Sequence, residues 1–205
     1  MALCLAMRLG YVYLNTGELY RAIGWKVQNE QLDPNNFAHI QSLLARTVLQ
    51  LTPGREGLSI LIDGQQIDPE IIRTPAISHL ASCVAALQPV REWLLPVQRE
   101  IDKKAGVVAE GRDMGTRVFP NADVKFFLNA DLETRAKRRQ QEFAQQGKTI
   151  QLKAVQDDIA LRDNRDRTRT MDPLRPAPEA IIIDTSQSSV EEVVEHMLKI
   201  IADRL

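Results

Sequence analysis

The 205-residue sequence has little that would direct it to a nucleic acid, a membrane or a structural metal. Neither sign of charge dominates. The 26 Lys and Arg stand against 27 Asp and Glu, a net charge of −1, which removes any global pull toward a polyanion or an anionic surface. Aromatic residues make up only 5%, poor material for stacking successive bases. The two cysteines, Cys4 and Cys83, lack metal-ligand spacing and lie among apolar neighbours, which predicts buried, reduced thiols in a cytosolic protein. No apolar run approaches a membrane span. Residues 1–9 do not read as a signal peptide, because Arg8 follows the apolar stretch instead of preceding it. His79 and His196 stand alone on mostly apolar helices and are read as structural. No Ser or Cys pairs with a His, as acyl transfer would require.

What is present is ordinary globular material, 44% hydrophobic and 26% charged, long enough for a substantial core in one domain. Helix and strand signals alternate. Apolar periodicity predicts a short helix over residues 2–9, stopped by Gly10, and a strand over 11–14. Asn15 or Thr16 can cap a second helix to about Trp25. A third helix is predicted over 37–48 and a hairpin over 58–67 around Asp63-Gly64. A long helical run then follows residues 68–74 and continues to about Lys104. Residues 106–109, 124–128 and 180–183 are strands with little polar alternation, as expected of strands covered on both faces. Charged helices are predicted over 135–146 and 153–169. The last helix opens on a capping box, Ser189 with Glu192, and repeats Val193, Val194, Met197, Leu198 and Ile201 on one face for docking on a sheet. The pattern predicts an α/β fold with a mostly parallel sheet flanked by helices, and a small antiparallel insertion outside it.

In such folds ligands bind beyond the carboxyl ends of the strands. Three junctions qualify: Leu14-Asn15-Thr16-Gly17, Ala109-Glu110-Gly111-Arg112-Asp113 and Ile183-Asp184-Thr185-Ser186. At the first, capping would account for Thr16 but not for Arg21. At the second, Gly111 permits close backbone approach, Arg112 can meet a phosphate, and Asp113 can accept from an amino group on a base; the plain alternative is a surface turn with a local ion pair. Glu110 is placed to hold a hydrated Mg²⁺, with Asp131 a weaker competitor. In the run LRDNRDRTR, helical geometry puts Arg162, Asp166 and Arg169 within one narrow arc and pairs Asp163 with Arg167 on another face. A solvated helix laced by such pairs is again the plain alternative. Four arginines within eight residues, without a lysine, favour phosphate, which the planar guanidinium grips bidentately. Arg91 and the i, i+4 pair Arg135 and Arg139 complete the set. Arginines gathered to one cleft from distant segments, with few nucleophiles, suit phosphoryl transfer, where catalysis is positioning and electrostatic stabilisation.

Four segments carry a resemblance: YLNTGELYR, IRTPAISHLASCVAALQPVRE, VVAEGRDMGTRVFPNADVKFFLNAD and LRDNRDRTRTMDPLRPAPEAIIIDTS. In this order, and almost from end to end, the chain resembles the bacterial cytidylate kinases, nucleoside monophosphate kinases. The resemblance implies a single P-loop NTPase-like kinase domain over 1–205. Its core would be 1–30, 90–140 and 170–205, with a nucleotide-binding insertion over about 31–89 and a helical lid over about 141–169. It implies transfer of the ATP γ-phosphoryl group to CMP or dCMP with Mg²⁺, in pyrimidine nucleotide metabolism. A cytoplasmic monomer without nucleic-acid or membrane partners is implied as well. By the same resemblance, Thr16, Arg21, Arg91, Arg112 and Asp113 would bind CMP, Asp113 reading the cytosine amino group. Arg162 and Asp166 would reach the phosphates and the CMP sugar, and Arg169 would stabilise charge on the transferring phosphoryl group. Arg135 and Arg139 would border the ATP side.

The sequence departs from the family pattern at Asn15, where Asp is usual, at Glu18, where a small residue is usual, and at Arg117, where an apolar residue is usual. No G-x-x-x-x-G-K-[ST] occurs in it. In the family that loop directly precedes the helix that here begins at residues 1–3. It supplies a backbone N–H cradle and a lysine for the ATP phosphates, and the strand before it is central to the sheet. Two readings follow: a working CMP kinase whose loop lies ahead of Met1, or a complete chain that has lost its ATP chemistry and binds CMP or a partner. The lid residues kept together in one arc favour the first. A third class, an arginine-rich nucleic-acid binder, is disfavoured by balanced charge and scarce aromatics.

Overall fold

The computed structural model describes residues 1–54, 57–101, 106–145 and 147–204; Lys104 and Gln146, where two helices were expected to end, lie outside the described residues. Two compact units are present, Ala2–Met114 and Gly115–Leu205, the second together with Met1.

The first unit runs α1 (Ala2–Leu9), β1 (Val12–Asn15), α2 (Thr16–Asn29), α3 (Phe37–Ala45), β2 (Leu49–Gly54), β3 (Gly57–Ile62), β4 (Gln65–Gln66), α4 (Pro69–Ile72), α5 (Pro75–Val84), α6 (Gln88–Arg99) and β5 (Val107–Glu110). β1 and β5 are parallel, with Val12 opposite Val107 and Asn15 opposite Glu110, so their carboxyl ends coincide. Both deliver their following loops to one edge, as a parallel pair must. The core of this unit is apolar helix packing. Leu19, Ala22, Ile23 and Val27 of α2, with Ile77, Ala81 and Val84 of α5, are all 6% exposed or less. The insertion is an antiparallel sheet in the order β2-β3-β4. Its tight turn is Asp63-Gly64 with φ of 52° and 80°. Two consecutive positive φ values define the turn whose twist suits a two-residue hairpin, and Asp-Gly provides them at least cost.

The second unit holds β6 (Phe126–Asn129), α7 (Leu132–Gln145), α8 (Leu152–Thr168), β7 (Ile181–Asp184) and α9 (Val190–Ala202). β6 and β7 are parallel, Phe126 opposite Ile181 and Asn129 opposite Asp184. Ala136, Phe143 and Val155 form the seam between α7 and α8, with Ile150, Leu152 and Ile159 packed against it. The capping box on α9 is formed: the Ser189 N–H donates to Glu192 Oε2 at 2.8 Å and the Glu192 N–H to Ser189 Oγ at 3.2 Å.

The mixed α/β class is as expected, with parallel strands, flanking helices and the antiparallel insertion. Several local expectations are corrected. Among the described residues the parallel pairs are β1 with β5 and β6 with β7, each within its own unit. They are not covered on both faces: β5 is half-buried throughout, and Ile182 of β7 is 64% exposed. The third helix stops at Ala45, where Thr47 Oγ1 turns back to donate to Leu43 O at 2.6 Å. The residues beyond it alternate apolar and polar and pair as β2 against β3. The long helical run divides between Val84 and Gln88, because Pro89 suits the first turn of a helix and not its interior. Cys4 is exposed, since α1 buries only Leu5 and Ala6, while Cys83 is half-buried with Sγ 3.7 Å from His79 Nε2. His79 and His196 are themselves exposed.

The insertion is tied to α2 electrostatically. Lys26, 7% exposed, pairs with Asp63 at the hairpin turn, and the Val48 N–H donates to the other Asp63 oxygen at 2.8 Å. The Lys26 hydrogen bond, then the Val48 N–H, hold the Asp63 carboxyl below its ordinary value. A depressed folded value means stability that is present above the unfolded value and lost as pH falls through the folded one. Stability should therefore fall more steeply below about pH 4 in the parent than in Asp63→Asn. Urea melts across that range will show it, and equal slopes would mean the ion pair adds nothing.

Candidate functional site

In the first unit the predicted residues gather at the carboxyl ends of β1 and β5. The cap on α2 is not a side-chain one: Asn15 sits at the N-cap without a side-chain hydrogen bond, and Thr16 is the first helical residue. The Thr16 hydroxyl, 2% exposed, instead donates to Glu110 O at 2.9 Å and stitches the two strand ends together. Gly111 is required by this approach, since a Cβ there would lie 2.3 Å from Thr16 Oγ1 and 2.7 Å from Met114 Cε. Gly111→Ala should lower stability by about 1–3 kcal/mol, as overpacking does, measured by thermal melting. Arg21 and Arg112 are half-buried beside the two junctions.

Asp113 is 4% exposed and is held by Arg91, whose guanidinium pairs with Asp113 Oδ2 and donates to Ala85 O at 3.1 Å. Arg91 also lies over the Tyr20 ring, 5.9 Å from its centroid. The surface turn with a local ion pair is thus excluded: this is a buried, oriented carboxylate. Glu110, the proposed Mg²⁺ holder, accepts the Tyr13 hydroxyl on Oε1 at 2.7 Å. Burial, then the Glu110 charge and hydrogen bond, push the Tyr13 phenol far above its ordinary value, so it remains a donor at every working pH. Among the described residues no three His, Cys, Asp or Glu converge as a metal cage. One carboxylate with an oxygen already held by a phenol fits a hydrated Mg²⁺ bound through water, not an all-protein site. Asp131, the competitor, is committed as a helix cap: it accepts from the Thr134 N–H at 2.7 Å and the Thr134 hydroxyl at 2.8 Å. These bonds hold its carboxyl below the ordinary range.

In the second unit α8 ends at Thr168, and Arg169 is its C-cap in extended conformation, not a helical residue as expected. The expected grouping nevertheless forms. Asp166, 5% exposed, has Arg162 Nε at 3.9 Å from Oδ2 and Arg169 Nη1 at 3.5 Å from Oδ1. Arg169 is further fixed by donating from Nε to Asp172 O at 2.9 Å, and Leu174 N–H donates to Asp166 O at 2.7 Å. The pairing of Asp163 with Arg167 is overturned. Asp163 is buried and accepts from Arg135 Nη1 at 2.6 Å, tying α8 to α7, while Arg167 is exposed. Arg135 also donates from Nε to Ala130 O at 3.0 Å. Arg139 donates to Glu142 Oε2 at 2.6 Å and lies 4.4 Å from the Phe143 ring centroid. A cavity of about 350 Å³ in this unit, walled by Pro120, Pro176 and Pro178, takes in none of these residues.

The family model described as cytidylate kinase matches residues 1–203. The chain belongs to the cytidylate kinase family. It is 41% identical to the cytidylate kinase of Caldicellulosiruptor bescii over 96% of this chain and 86% of that protein. The cytidylate kinase of Geobacillus kaustophilus is also 41% identical, over 98% of this chain and 89% of that protein. A bifunctional pantoate ligase/cytidylate kinase of Synechococcus elongatus is 40% identical over 98% of this chain and 39% of its own length. Membership makes this chain an enzyme, a nucleoside monophosphate kinase with nucleotide substrates. Among the described residues no helix is long and apolar enough to cross a membrane.

Sequence reasoning about this cytidylate kinase missed four residues. Tyr13 and Arg73 have hydrogen-bond partners 97 and 55 residues away, Glu110 and Glu18. Arg138 holds the loop after β7, donating to Thr185 O at 2.6 Å, Thr185 Oγ1 at 3.2 Å and Ser188 O at 3.3 Å. Its signal was legible as the middle of three arginines, 135, 138 and 139. Ser82 of α5 buries its hydroxyl without a partner among the described residues, an orphan that burial alone reveals.

Proposed function

We propose that this member of the family transfers the γ-phosphoryl group of ATP to CMP and dCMP. The observation that carries the specificity is Asp113, a carboxylate buried at a strand end and oriented by Arg91. A carboxylate only accepts, so it suits the exocyclic amino group of cytosine and rejects the carbonyl that uracil presents there. Thr16, Arg21, Arg91 and Arg112 complete the CMP site. The phosphate lies at the first turn of α2, whose N-terminus has no side-chain cap and favours an anion. Arg162 and Asp166 serve the phosphates and the CMP sugar, Arg169 meets charge on the transferring group, and Arg135 and Arg139 border ATP. Mg²⁺, held through water at Glu110, would neutralise phosphate charge. Nothing in the family membership supports the alternative of a chain that keeps CMP and has lost its chemistry.

A coupled assay with ATP and each of CMP, dCMP, UMP and AMP tests this reading. The cytosine nucleotides should be preferred over UMP by roughly tenfold or more, the worth of a hydrogen bond to a buried charge. Equal use of UMP would remove the cytosine reading.

A further inference from the structure

Glu18 is the third helical residue of α2, between Thr16 and Arg21. In that position a glutamate ordinarily turns back onto the N-cap backbone and occupies the positive end of the helix with its own charge. Here it does not. Glu18 Oε1 accepts from Arg73 Nε at 3.1 Å and from Arg73 Nη2 at 2.5 Å. Arg73 is the C-cap of α4, in a different element of the insertion, and the Glu18 side chain is only 13% exposed. Glu70 Oε1 lies farther off, 4.0 Å from Arg73 Nη1. Despite the cost of burial, hydrogen bonding and charge from Glu18, then charge from Glu70, raise the guanidinium above its ordinary value.

An acidic residue in the first turn is a standing competitor for any anion bound at that turn. Like charges a few ångströms apart in partly buried surroundings repel appreciably, while a neutralised pair does not. We infer that Arg73 is a positioning residue that turns Glu18 away from the acceptor phosphate and cancels its charge, so that an acid can stand in this turn without weakening the nucleotide. The inference rests on the CMP reading above and concerns how strongly the phosphate is held, not which base is read.

The test is calorimetric titration of CMP and of cytidine, which lacks the phosphate. Arg73→Leu, with Glu18 left unneutralised, should weaken CMP roughly tenfold and cytidine less than about twofold. Adding Glu18→Ala to Arg73→Leu should return CMP to within about threefold of the parent. Glu18→Gln, which keeps the shape and the hydrogen-bond acceptor, should tighten CMP by about twofold to threefold and leave cytidine unchanged. It also keeps the test open should Arg73→Leu unfold. A double variant as weak as the single one would overturn the inference, as would equal losses for CMP and cytidine, because a purely structural strap gives that pattern. A parent chain that binds neither ligand overturns the CMP reading and the inference together. A parent that binds CMP without rescue overturns the inference alone.

Discussion

Replacing Arg91 by methionine should cost about 3–5 kcal/mol of folding free energy, read from urea melts. The pair with Asp113 is 5% exposed on both sides, so removing the cation leaves a carboxylate in a place where water cannot replace the lost partner. The bond from Arg91 to Ala85 O and the contact over Tyr20 are lost as well. Much of the cost is the buried carboxylate deprived of its guanidinium, so Arg91→Met combined with Asp113→Leu should be the more stable of the two variants. Function moves the other way. Asp113→Ala should weaken CMP by about 1.5–3 kcal/mol and erase the preference over UMP, since it removes the acceptor for the amino group. If discrimination survives in Asp113→Ala, the carboxylate is only a structural partner of Arg91, and the base is read elsewhere.

Features encoded within a few residues are legible in the sequence. The first helix, the Asp63-Gly64 hairpin and the Ser189 capping box each depend on neighbours no more than about four positions away, where helical and turn geometry are fixed. What failed was the choice among partners. Helical arithmetic offers Asp163 an arginine at i+4, and nothing local says that α7 will bring Arg135 to the same carboxylate. The strand β2 was missed although Leu49, Gln50, Leu51 and Thr52 alternate, because the expected helix ran to Val48 and left too short an alternating run to stand out. Only the ladder against β3 decides it. The site residues fared better than their contacts. Arg162, Asp166 and Arg169 were grouped by their angular spacing, and the group survives although Arg169 has left the helix. Loss of helical geometry at one residue shifts the guanidinium by a few ångströms, which a long side chain can absorb. Thr16 was right in place and wrong in bonding, because a hydroxyl at a helix start has two ways to be satisfied and the parallel register with Glu110 selects the less common one.

Arg169→Ala should lower kcat on the order of 10³-fold, with KM for CMP changed by no more than about threefold, in a coupled kinase assay. A group that binds substrate and transition state equally would move KM. One that meets charge only as the phosphoryl group transfers lowers kcat and kcat/KM together. In the proposed second role Arg169 would act under restraint from two directions, the Asp166 carboxylate on Nη1 and the Asp172 carbonyl on Nε. Asp172 itself sits at φ 46°, a left-handed conformation that turns the chain directly after the helix and aims this carbonyl back. Such restraint reduces the reorganisation needed when charge develops, which is where electrostatic catalysis gains most. Arg169→Lys separates charge from geometry. A lysine keeps the cation but cannot hold Asp166 and Asp172 while offering a planar fork to phosphate oxygens. Its kcat should therefore fall by at least about tenfold instead of recovering to the parent. Full activity in Arg169→Lys would show that a point charge suffices and that the paired restraint is packing alone. A loss below about tenfold in Arg169→Ala would take Arg169 out of the transferring step and leave Arg162 to meet the charge.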